Sequence, residues 1–269
     1  MEKEKGYWQE EKEAEERKSP SAKVIYGAIY KEAVSELSRS SSALFWSGLA
    51  AGLSMGFSMI SEGLLKAYLP DADWSFLVSN LGYSAGFLIV ILGKQQLFTE
   101  NTLTPLLPLF DKKSYSTLLN VLRLWGVVLI ANLIGALVIA YMAARTEVFD
   151  PHVQKAFAAI GRTAMEPAFG VTLLRGIFAG WVIALIVWLM PYAETARLWV
   201  IIILTYIIGI GHFSHVIAGS VETFTLAFLG GTGWWSVLGN FVLPALIGNM
   251  IGGITIVALI NYAQVKTDS

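Results

Sequence analysis

Two stretches of this chain place glycine and polar residues inside apolar runs long enough to cross a bilayer. Gly209 to Phe224 reads GIGHFSHVIAGSVETF and carries two histidines, a glutamate and three glycines. Gly93 to Pro105 reads GKQQLFTENTLTP. Hydrocarbon offers no hydrogen bonds, so irregular backbone persists at membrane depth only where it is buried in protein or lines a cavity. Ionisable side chains at that depth are costly and mark a pathway or relay by default. Two such breaks therefore predict discontinuous spans that meet near the midplane and frame a solute path.

Composition agrees with a polytopic membrane protein: 55% of the 269 residues are hydrophobic and 14% are charged. The net charge of −1 leaves no basic surface for nucleic acid. The absence of cysteine excludes disulfides, thiolate catalysis and thiolate metal sites. The first forty residues hold no short apolar core before a small-residue cleavage site, so no signal peptide is expected. Residues 1–20 are expected to be a solvated, charged cytoplasmic tail. Over 21–42, Val24, Ile25, Ala28, Ile29, Ala33, Val34 and Leu37 recur at helical spacing among charged residues. That pattern predicts an amphipathic helix lying on the membrane or against a neighbour. A transmembrane pore domain is expected over 43–263, and a short cytoplasmic tail over 264–269.

Six spans are predicted, at about 43–66, 76–110, 117–144, 169–190, 197–229 and 235–262. The breaks fall in the second and fifth. Gly48, Gly52 and Gly56 leave one face of the first span bare, so a neighbour can approach closely. Lys and Arg orient the chain. One side holds residues 1–42 with Lys112, Lys113, Arg123, Arg197 and Lys266; the other holds Lys66, Arg145, Lys155 and Arg162. The balance is thirteen to four, which predicts both termini on the cytoplasmic side of the cell inner (plasma) membrane. The chain also repeats. WGVVLIANLIGALVIAY (125–141) resembles VLPALIGNMIGGITIVAL (242–259), aligning Asn132 with Asn249 at an offset of 117. The same offset carries Phe98 onto His215. With three spans per half (about 43–145 and 169–263), the halves form an inverted 3+3 repeat.

Within the breaks, the Thr99 hydroxyl can donate to an anion, or serve a carbonyl freed by the break. An imidazole beside an arriving anion can take a proton, which makes His215 a candidate proton partner for a weak acid. The alternative is a hydrogen-bonded packing histidine. His212 lies one turn away, and with His215 and Glu222 it allows a metal reading, although no HExxH pattern is present. Lys94 or Arg175 could pair with Glu100 or Glu222, because opposite charges at this depth pair.

These residues also carry a resemblance. LGYSAGFLIVILGKQQLFTENTL resembles the second span of the formate/nitrite transporter family, with Leu97, Phe98, Thr99 and Asn101 on its loop motif. GHFSHVIAG resembles the family's broken fifth span, with His215 on its central histidine, and IGNMIGG resembles its sixth-span signature. The resemblance implies a small residue at Lys94, an acidic one at Gln96, glycine or serine at Glu100 and asparagines at Gly180 and Gly219; the chain departs at all five, so it looks like a divergent branch. The resemblance implies an aquaporin-like, all-α membrane protomer in a homopentamer. It implies one pore per protomer for small monovalent anions such as formate or nitrite, moved passively or with a proton. Pore candidates are His215, Thr99, Leu97, Phe98, Asn101, His212, Lys94, Glu100 and Glu222. No cofactor, metal or enzymatic activity is expected. The alternatives are a channel for a small neutral solute, an intramembrane metal-dependent enzyme, and a non-transporting scaffold.

Overall fold

The computed structural model describes residues 21–267. The charged tail expected over 1–20 and the last two residues lie outside the described residues. Those described are helical and turn, with no strand. They form α1 (Ala22–Ser38), α2 (Ser41–Tyr68), α3 (Ser75–Leu92), α4 (Leu106–Lys112) and α5 (Tyr115–Arg145). Then follow α6 (Pro151–Met165), α7 (Phe169–Leu189), α8 (Arg197–Ile210), α9 (Val216–Phe228) and α10 (234–267). Among the described residues, five helices are long and apolar enough to cross a membrane: α2, α3, α5, α7 and α10. The remaining span is divided between α8 and α9, as its break requires.

Lipid tails are as apolar as leucine, so burial alone holds membrane helices weakly; close packing and hydrogen bonds carry more. The glycines serve that packing inside the protomer. A Cβ on Gly52 would collide with the Asn132 carbonyl of α5, and one on Gly180 would collide with the Asn249 carbonyl of α10. The first and third spans of each half therefore cross backbone to backbone in the same way. Gly180, where the resemblance expects asparagine, has no room for a side chain. The other missing asparagine, Gly219, lies under the Phe241 ring, which a Cβ there would strike.

The inverted repeat extends to the breaks, with a one-residue correction. Gly93, Lys94 and Gln95 end α3 through bonds to the carbonyls of Ile89, Ile91 and Val90; Gly211, His212 and Phe213 end α8 through Ile207, Gly209 and Ile208. Lys94 and His212 both adopt φ of 49°. The offset here is 118, so Leu97, rather than Phe98, is the counterpart of His215. The first half has one residue more between its break and its asparagine, and this difference produces the shift.

Of the two placements expected for the amphipathic segment, the structure shows packing against neighbouring helices, and one helix is new. The amphipathic helix α1 packs on its own protomer, burying Ile29 and Ala33, with Ile29 beside Leu103, Leu106 and Trp188. Between the halves lies α6, a helix absent from the predicted spans. It starts at Pro151, whose missing N–H suits a first turn, and buries Val153, Phe157 and Ile160 on one face. At the C-terminal end, α10 continues as helix to Thr267 through the stretch expected to be a tail.

Candidate functional site

Each break is held by one asparagine. Asn132 donates to the Gly48 carbonyl (2.7 Å) and the Gln96 carbonyl (2.9 Å), and accepts from the Phe98 N–H (2.8 Å). Asn249 donates to the Gly176 and Ser214 carbonyls (both 2.8 Å) and accepts from the Val216 N–H (2.8 Å). Both asparagines are fully buried. Each satisfies loop groups that have no helical partner, on both sides of its break.

The two loops then touch. Thr99 Oγ1 lies 2.7 Å from His215 Nε2. The other ring nitrogen caps α9: Nδ1 accepts the Ala218 N–H at 3.1 Å. A backbone N–H can only donate, so Nδ1 is bare and the neutral ring carries its hydrogen on Nε2. That hydrogen is donated to Thr99. The Thr99 hydroxyl hydrogen then has no acceptor among the described residues, and is the spare donor of the pair. Phe87 closes the edge of the imidazole, with ring centroids 5.0 Å apart.

Cavities lie on either side of this contact. The near cavity, about 390 Å³, is bounded by α1, the C-terminal ends of α3 and α7, and the first break; Glu36, Lys94, Gln96, Glu100 and Asn101 line it. The far cavity, about 230 Å³, is lined by Glu62, Tyr83, Arg175, His212, His215 and Glu222. The cavities sit at opposite ends of the same helices: α3 runs from Phe76 in one to Leu92 in the other. Leu97, Phe98 and Thr99 line neither cavity. They are buried in the partition, with Gln96 on the near side and His215 on the far side.

The candidates thus divide in three. Thr99, Leu97, Phe98 and His215 form the partition. Lys94, Glu100 and Asn101 face the near cavity, while His212 and Glu222 face the far one. The expected charge pairs are absent among the described residues. Lys94, displayed outward by its left-handed backbone, pairs with Glu32 of α1 at 3.8 Å, not with Glu100 or Glu222. Glu100 keeps a buried Oε1 with no partner. His212 stacks obliquely on Phe76 at 5.2 Å, and no group of three or more His, Cys, Asp or Glu residues could hold a metal among the described residues. The metal reading has no support in this geometry.

Sequence reasoning missed Glu36, Glu62 and Phe87. Glu62 carried a usable signal, since it is the one acidic residue in the apolar span α2. Glu36 required knowledge of tertiary contact. Its carboxylate accepts from Gln96 Nε2 (2.8 Å) and Thr104 Oγ1 (3.1 Å), and Asn101 Nδ2 donates to Gln96 Oε1 (2.9 Å). α1 therefore delivers an acidic group to Gln96, the position where the resemblance expects a carboxylate in the loop itself.

Burial pushes the Glu36 carboxyl above the usual carboxylate range, against the pull of the Gln96 and Thr104 bonds and Arg39, and with a further push from Glu32. Docking of α1 is thus coupled to proton uptake. It is strongest below the ordinary glutamate value of about 4.3 and weakens as pH rises through the raised one. Amide exchange over 22–38, corrected for intrinsic rate, should quicken from mildly acidic to alkaline pH. Glu36→Gln should remove that pH dependence; an identical trend in the variant would contradict this account of docking.

The formate/nitrite transporter family model matches residues 23–263, almost the whole of the described chain. The chain belongs to the formate/nitrite transporter family. It is 40% identical to the inner membrane protein YfdC of Escherichia coli (strain K12), over 95% of this chain and 83% of that protein. It is 27% identical to the formate channel BtFdhC of Bacillus thuringiensis, over 87% and 92% of the two chains. Its fold matches a pentameric formate channel solved with formate bound, at a TM-score of 0.70 and 19% identity, covering 83% of this chain and 97% of that one. As a member of this family the protein is a membrane transporter or channel rather than an enzyme.

Proposed function

We propose that this family member conducts small monovalent weak-acid anions, formate and nitrite among them, through a pore within each protomer. The observation that carries this reading is the 2.7 Å contact between Thr99 and His215, with a cavity on either side. A bare anion in a dry medium of low dielectric faces a Born penalty of tens of kcal/mol. A spare hydroxyl donor at the partition, where the solute must shed water, lowers that barrier. Protonation of the solute removes most of the rest. The relative named as a formate channel supports this substrate class.

The protein is proposed to be a homopentamer in the inner membrane, with the near cavity and both termini cytoplasmic. The pentameric fold neighbour and the Lys/Arg asymmetry support that arrangement. A channel for a neutral solute is the second reading. It is favoured by Gly180 and Gly219, which stand where the resemblance expects polar asparagines.

The test is uptake of formate, nitrite, acetate, hydrosulfide and glycerol into proteoliposomes at mildly acidic and neutral pH. Formate and nitrite uptake well above that of glycerol is expected. Glycerol uptake without anion uptake would replace the reading with the second one.

A further inference from the structure

The neutral tautomer of His215 leaves the pore without an obvious proton source at the partition. Protonating Nδ1 would break the α9 cap, and a neutral imidazole cannot give up its Nε2 hydrogen at ordinary pH. The far cavity holds another. Glu222 lies on α9, two turns beyond His215, and is only 8% exposed. Glu62 comes from α2 and lines the same cavity. Both side chains therefore open on one confined space. Among the described residues, neither makes a hydrogen bond or an ion pair. The nearly buried Glu222 carboxyl is thus an unpartnered polar group facing the space that leads to His215.

The other charged or titratable groups around it are Lys66 of α2, Tyr83 of α3, Arg175 of α7 and His212 at the end of α8, with Glu166 acting on His212 from beyond α6. Lys66 is exposed and Arg175 half-buried. The cations thus stand nearer the solvent and the Glu222 carboxyl deeper. An anion would be drawn in by the cations and then meet the acids. Two carboxylates confined to one cavity repel each other unless a proton lies between them.

We infer that Glu62 and Glu222 share one proton and pass it to a weak-acid anion on the far side of the Thr99–His215 contact. The carboxyl O–H bond breaks and an O–H bond forms on the solute oxygen, which becomes the neutral acid and crosses the partition. The pair is left with both carboxylates ionised beside Lys66 and Arg175, and regains its proton from hydronium reaching the far cavity from solution, so one proton enters with each anion. This rests on the weak-acid reading of function and names the groups that serve it.

Formate uptake into proteoliposomes would be compared across pH for the wild type, Glu222→Gln, Glu62→Gln and the double variant, each checked for oligomer size. Nitrate, which stays ionised throughout this range, would serve as a control solute. Wild-type formate uptake should rise as pH falls and exceed that of nitrate. Glu222→Gln should lower formate uptake near neutral pH by about a hundredfold or more, the scale of a lost general acid, and flatten the pH profile. Glu222→Asp should restore part of the slope, which a merely structural carboxylate would not do. Glu62→Gln tests the pair from a second helix should Glu222→Gln assemble poorly. Wild-type rates and pH profiles in both single variants and the double variant would overturn the inference while leaving the function intact. A wild type that moves no anion would overturn both.

Discussion

Asn249→Ala is expected to abolish flux and to lower the unfolding midpoint of the detergent-solubilised protein more than truncation of Thr99 or Glu222 does. The side chain makes three buried hydrogen bonds, to the Gly176 carbonyl, the Ser214 carbonyl and the Val216 N–H. Alanine leaves the Ser214 carbonyl and the Val216 N–H without a partner, and removes the tie to the Gly176 carbonyl of α7. Each unsatisfied buried group costs about 1–3 kcal/mol, so the loss is on the order of 3 kcal/mol or more. Unfolded helices in a membrane also find partners, which keeps the loss toward the lower end of the sum. Ser214 and Val216 flank His215, so the loop that presents the imidazole loses its anchor at the same time. Asn132→Ala should act alike through Gly48, Gln96 and Phe98. Asn249→Asp should do intermediate damage, because it keeps the acceptor for Val216 and loses both donors. A melting temperature within error of wild type for Asn249→Ala would contradict this account of the breaks.

Thr99→Val is expected to reduce anion uptake strongly with little change in assembly. Valine has nearly the same shape as threonine, so packing in the partition is kept. The Nε2 hydrogen of His215 loses its acceptor, and the passing solute loses the hydroxyl donor. Hydrogen bonds to charged groups contribute about 1.5–3 kcal/mol, and each 1.4 kcal/mol on a barrier is about tenfold in rate. Formate uptake should therefore fall roughly tenfold to a hundredfold. Thr99→Ser, which keeps the hydroxyl, should stay near wild type. Equal uptake by Thr99→Val and wild type would mean that the hydroxyl serves only the imidazole.

Much of this is readable in the chain because membrane interiors are unforgiving. Glycine, histidine and glutamate within Gly209–Phe224 break a rule that apolar spans otherwise obey, and so do Lys94 to Glu100. The Asn132/Asn249 repeat also points to two equivalent breaks. Its register, however, is one residue off at the loops, since the first half has one residue more between its break and its asparagine and the offset of 117 belongs to the third spans. The partner of Lys94 cannot be read, because Glu32 reaches it from a helix outside the repeat. α6 escapes notice because its buried face is short and its other faces are polar, like a linker. The sequence also suggests that His215 titrates. Its cap on Ala218 argues otherwise and transfers the proton chemistry to carboxyls in the far cavity.

The most direct measurement of the central claim, that solute passes between Thr99 and His215, is labelled formate uptake by His215→Phe beside wild type. Both proteins would be reconstituted at matched oligomer size and assayed at mildly acidic and neutral pH. Phenylalanine removes the Nε2 donor and the α9 cap, and places an apolar ring where the two loops meet. Uptake reduced about tenfold at both pH values is the predicted result, the scale of one hydrogen bond of about 1.4 kcal/mol lost at the barrier. Wild-type uptake at both pH values by an intact oligomer would mean that the solute takes another route.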